Sequence, residues 1–132
     1  MELTKLTHLA HNITRQCLML MDLPAFEPFE KLAEHEVTWA VSNVACLLND
    51  LSQHPQIVHE SVWGEYERAG WKPGPKYRCE KEQKLGPNGE VLSEVMKKEN
   101  PLCCPYEALP KAYRNGHRLL CSVAAYLSQL GV

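Results

Sequence analysis

The sequence predicts a mainly α-helical domain of four helices, with a small β-hairpin inserted before the last one. Three observations carry this. Apolar residues recur at helical spacing over long stretches at both ends of the chain. Proline and glycine fall at intervals suited to helix ends. One polar stretch, 76–96, is split by Gly86-Pro87-Asn88-Gly89. A chain of 132 residues is expected to form one domain, large enough to bury a core without metals or crosslinks.

The first helix is expected over 3–21, where apolar residues at 3, 6, 9, 10, 13, 17, 18, 20 and 21 form one buried stripe. Asp22-Leu23-Pro24 ends it. A second helix is expected over 29–53, with Pro28 at its first turn and Leu32, Val37, Trp39, Val44, Leu47 and Leu51 available for packing. His54-Pro55 breaks it. The third runs over 56–69 and stops at Gly70, placed for a left-handed cap. Trp71 to Pro75 is then irregular, because Pro73 and Pro75 each remove an amide donor. In the polar stretch, Asn88-Gly89 signals a two-residue hairpin turn between Tyr77–Leu85 and Glu90–Met96. After an irregular segment over 100–109, the fourth helix is expected over 110–130. Its inner face is Tyr113, His117, Leu120, Cys121, Ala124, Leu127 and Leu130.

A formal net charge of −2 argues against general nucleic-acid binding, which requires a basic excess to displace counterions. The basic residues nevertheless cluster. Lys72, Lys76, Arg78, Lys81 and Lys84 fall in one stretch, and Lys97, Lys98, Lys111, Arg114 and Arg118 follow. Such a patch could attract a small anion, or it could be a solvated rim interleaved with Glu80 and Glu82. No apolar run is long enough to span a bilayer, and the start lacks a signal-peptide pattern. Six cysteines without CxxC spacing suit a reducing cytoplasm.

Few residues carry an obvious chemistry. His8 and His11 stand three apart and His54 and His59 five apart, with no His-Glu-x-x-His context and no evident third ligand, so no metal is expected. Cys103-Cys104, between prolines, reads as buried packing rather than redox chemistry. No nucleophile elbow, phosphate-binding glycine loop or recognisable carboxylate pair is present, so neither catalysis nor a cofactor is expected.

The order His59-Glu60, Gly70-Trp71, Gly74-Pro75, Pro101, Pro105-Tyr106 and Leu109-Pro110 resembles the repeat domain of ryanodine receptors, the RyR domain. That domain also occurs as small single-domain proteins in bacteria and their phages. The resemblance covers 54–131 well, which implies an N-terminal helical part over 1–53 and an RyR-type repeat over 54–132 with its insertion near 76–96. Some positions depart from the pattern. Trp63 stands one step beyond the usual tryptophan, at Val62, while Pro73, Arg78 and Asn100 replace the usual tyrosine, aspartate and histidine.

The resemblance implies a non-catalytic protein that binds a nucleotide or a nucleotide-derived messenger, in the host cytoplasm if phage-encoded. Trp63 and Trp71 would stack the base. Arg68, Lys72, Arg78 and Arg114 would supply positive charge, and Tyr106 would complete the ligand-binding set. The same indoles would serve equally as core anchors between the third and fourth helices. The alternative function is a protein-interaction module. Family repeats often face one another in pairs, so a single repeat implies a homodimer. A third, less favoured function is an enzyme acting on a nucleotide, which would require a carboxylate or histidine within reach of the bound phosphate.

Overall fold

A computed structural model describes residues 1–131. Helix α1 spans Leu3–Leu20, α2 Glu34–Asn49, α3 Pro55–Arg68 and α4 Lys111–Gln129. Strands β1, Arg78–Leu85, and β2, Val91–Glu99, lie between α3 and α4 as an antiparallel hairpin. Short 3-10 turns occupy Phe29–Lys31 and Tyr106–Ala108. The protein is mainly α, as its periodicity predicts. None of these helices is long and apolar enough to cross a membrane. The chain divides into two units, Met1–Val62 with Tyr106–Val132 and, separately, Trp63–Pro105.

The first unit is held by a core from all four helices: Leu6 and Ala10 of α1, Val44 and Leu47 of α2, Val58 of α3, and Leu120, Cys121, Ala124 and Leu127 of α4. The buried face of α1 is rotated from the predicted stripe. Thr7, His11 and Thr14 are buried, whereas Leu9 is exposed and Leu20 is 86% exposed. The polar residues are tolerated because each has a backbone acceptor. Thr7 Oγ1 donates to Leu3 O at 2.9 Å, Thr14 Oγ1 to Ala10 O at 2.7 Å, and His11 Nε2 to Glu27 O at 2.7 Å. Asp22 then takes a left-handed φ of 58° and Leu23 N–H bonds back to Leu18 O, which closes α1.

The second helix is shorter than the expected 29–53 at both ends. Leu32 and Ala33 are extended, and Glu36 turns back to accept from Ala33 N–H at 3.0 Å, so α2 starts at Glu34. At the other end Asp50 is extended and its carboxylate accepts from the Ser52 amide (3.0 Å) and hydroxyl (2.6 Å). Gln53 Nε2 donates to Cys46 O and Asp50 O, satisfying carbonyls that the ended helix leaves over.

In the second unit, Gly70 at φ 95° and the bond from Trp71 N–H to Tyr66 O stop the helix as predicted. The hairpin turn differs from the expected two-residue form. Gly89 N–H donates to Gly86 O and Gly86 N–H to Glu90 O, with Gly89 alone of the loop at positive φ, 79°. This is a three-residue loop, Pro87-Asn88-Gly89. Pro87 pre-sets a type I turn, which leaves the left-handed position to Gly89. Ladder pairing runs from Arg78↔Glu99 to Leu85↔Val91, with a bulge at Leu92.

Candidate functional site

In the first unit, α2, α3, α4 and the 3-10 turn at Tyr106 converge on a buried group of rings. His59, on the same face of α3 as Val58 and Val62, is fully buried. Its ring centroid lies 5.9 Å from Trp39, 6.0 Å from Tyr106 and 6.1 Å from His117. Tyr113 stacks on His117 at 6.2 Å with planes 10° apart, and its hydroxyl accepts from Trp39 Nε1 at 2.8 Å. His59 and Tyr106, on α3 and the 3-10 turn, are therefore neighbours.

His117 is neutral at physiological pH. Burial pushes its pKa down to about 4, against the opposing hydrogen bond that its Nε2 makes to Pro55 O at 2.7 Å. A carbonyl only accepts, so Nε2 carries the proton. Cys121 Sγ lies 3.8 Å from that nitrogen. Its thiol is pushed up to about 12 by burial, so the two groups form a neutral pair rather than a thiolate and an imidazolium.

Tyr106 and Arg114 stand out for what they lack. Among the described residues, the Tyr106 hydroxyl and the Arg114 Nε are both buried atoms without a hydrogen-bond partner. Burial raises the Tyr106 pKa, opposed by the positive charges of Arg118 and Arg114, so both guanidinium groups act on this phenol. The phenol stays protonated and able to donate, and Arg Nε–H can only donate. Among the described residues neither Arg114 nor Arg118 has an ion-pair partner. The carboxylate felt by Tyr106, Glu107, accepts from Gln56 Nε2 at 2.9 Å. Two donors and two cations thus share a region with no acceptor assigned to them. These are groups from which an oxyanion accepts.

The other predicted site residues belong to the second unit. Trp71 stacks on Tyr77 at 5.4 Å, 27° from parallel, and meets Tyr66 at 5.8 Å. Its half-buried ring thus makes internal aromatic contacts. Trp63 is also half-buried, and Arg68 and Lys72 are exposed. Lys72 holds β2 through its backbone, its N–H on Lys98 O and its carbonyl on Asn100 N–H, both 3.0 Å. Arg78 is committed to carboxylates, with Nε on Glu80 at 2.9 Å and Nη1 3.7 Å from Glu99. Gly74 does give a close backbone approach, but to protein: a Cβ there would collide with the Glu99 carboxylate.

Sequence reasoning picked out Tyr106 and Arg114 and passed over Trp39, Tyr113 and His117, which it assigned to helix faces. Arg118 was visible in one respect. It stands four residues after Arg114, one helical turn along the same face. No three His, Cys, Asp or Glu side chains among the described residues cluster as metal ligands. No family model matches the chain, and no curated protein or solved structure matches it either.

Proposed function

We propose that this protein binds, without transforming it, an anionic small molecule of the nucleotide type, through an RyR-type fold. The oxyanion of that ligand is received by the Tyr106 hydroxyl with Arg114 and Arg118. One observation carries the reading: among the described residues two buried donors, Tyr106 Oη and Arg114 Nε, have no hydrogen-bond partner and lie beside two guanidinium groups without an ion-pair partner. A buried donor left unsatisfied costs about 1–3 kcal/mol, a cost that a bound phosphate or carboxylate removes. The resemblance to RyR repeats narrows the anion to a nucleotide or a nucleotide-derived messenger. If the chain is phage-encoded, sequestering such a messenger is its role.

The test is thermal denaturation with and without a panel of nucleotides, cyclic nucleotides and inorganic phosphate. A ligand that binds only the folded protein raises the midpoint by mass action. Tyr106→Phe should raise the midpoint of the ligand-free protein, because an unpartnered hydroxyl is removed, and should abolish the ligand-dependent rise. A variant less stable than wild type, or one that keeps the full ligand response, would count against this site.

A further inference from the structure

The hairpin of the second unit is unusual in being exposed along nearly its whole length. Leu85, Val91, Leu92, Val95 and Met96 are all exposed, Val95 at 60%. A lone two-stranded ribbon is marginal in water, and a free edge invites another strand. The two edges are not alike. β1 reads Arg-Cys-Glu-Lys-Glu-Gln-Lys-Leu, a charged edge of the kind that discourages pairing. β2 carries Val91, Leu92, Val95 and Met96. We propose that β2 pairs antiparallel with β2 of a second copy of this chain, about a two-fold axis through Val95, to give a four-stranded ribbon.

The register follows from which peptide groups are available. Lys72 bonds to Lys98 O and Asn100 N–H, so those groups point away from β1. Strand alternation then points the peptide groups of Glu94 and Met96 outward as well, and those of Val95 and Lys97 toward β1. A two-fold axis normal to the sheet sets one residue opposite its own copy. An axis at Glu94 or Lys97 opposes like charges, which is destabilising. One at Met96 requires the Lys98 carbonyl, already occupied by Lys72. One at Ser93 falls beside the bulge at Leu92.

Val95 is the centre whose paired stretch, Ser93 to Lys97, meets none of these objections; the ladder ends there, between the Leu92 bulge of one copy and the Lys72 bridge of the other. Val95 faces its copy in the close, non-hydrogen-bonded pairing, and Glu94 and Met96 exchange backbone bonds with Met96 and Glu94 of the second copy. Ser93 then lies opposite Lys97, so no like charges face each other.

Sedimentation at micromolar concentration should give twice the 15.0 kDa chain mass. Val95→Lys places two ammonium groups face to face and should return the mass to one chain, with an unchanged helical circular dichroism spectrum. In a Cys79→Ser background, Val95→Cys should crosslink into a covalent dimer on air oxidation, while Gln83→Cys on the β1 edge should not. A monomeric wild-type protein, a dimer that survives Val95→Lys, or equal crosslinking at both positions would each overturn the proposal. The first result would leave the β2 edge to a strand from a different protein.

Discussion

The Trp39 indole N–H donates to the Tyr113 hydroxyl at 2.8 Å, across 74 positions of sequence. The bond ties α2 to the start of α4 beside His59 and His117, since Trp39 meets the first ring and Tyr113 stacks on the second. Tyr113→Phe removes the acceptor of a buried donor and should cost about 1–3 kcal/mol in urea unfolding. Trp39→Phe should cost more, because indole packing is lost as well. The double variant should lose less than the two single losses combined. Strict additivity would show that the bond contributes nothing.

Acid should weaken the fold through His117. Its folded pKa lies near 4, below the ordinary 6.5, because burial disfavours the charged ring. The unfolded chain therefore binds the proton more readily. Stability is fully present above pH 6.5 and drains away as pH falls toward 4. At roughly 1.4 kcal/mol per pH unit the loss is about 3 kcal/mol. His11, also held below its usual pKa by burial, adds in the same direction. Thermal midpoints measured from pH 7 to pH 4 should fall steeply for wild type and less for His117→Gln. Parallel curves would exclude His117 as the source.

Gly116 lies inside α4, where alanine would ordinarily be favoured by about 1 kcal/mol. Here a Cβ would come within 2.6 Å of the Phe26 ring, which packs against His11 at 4.2 Å. Gly116→Ala should therefore lower the melting midpoint, by displacing Phe26 from that contact. A gain in stability would show that the ring moves aside freely.

Replacing Leu85–Glu90 with a short glycine-serine link should leave the helical core untouched. The tip is mostly exposed, and none of the core residues of the first unit comes from it. A melting midpoint within a few degrees of wild type is expected. A much larger fall would make the tip a structural element.

Helix number and order were legible because proline, glycine and apolar spacing agree with one another. What escaped was the disguise of buried polar residues. Thr7, His11 and Thr14 look solvent-facing by type, yet backbone acceptors allow them inside, which turns α1 and leaves Leu9 and Leu20 outside. The early end of α2 depends on the side chains of Asp50 and Gln53, which compete locally with helix continuation. At the candidate site, motif and charge drew attention to Tyr106 and Arg114. Periodicity alone does not reveal that Trp71 stacks on Tyr77 and meets Tyr66 at a tilt, because those contacts depend on the path of a loop. One partner of Arg78 was within reach: Glu80 lies two residues on, where a strand repeats its face.

The bridge between Lys72 and Glu99 also bears on how fast the chain assembles. The first unit is discontinuous, its segments parted by the 43 residues Trp63–Pro105. Bringing Val62 and Tyr106 into their native positions from an open chain means closing that whole loop. Once the hairpin and the Lys72 bridge have formed, the path from 72 to 99 is short-circuited, and only about 16 residues remain to be constrained. Closure entropy grows with the logarithm of loop length, so the saving is about 1 kcal/mol, or roughly fourfold in the chance of encounter. An exposed ribbon with little core of its own thereby acts as a kinetic shortcut for the helices on either side of it.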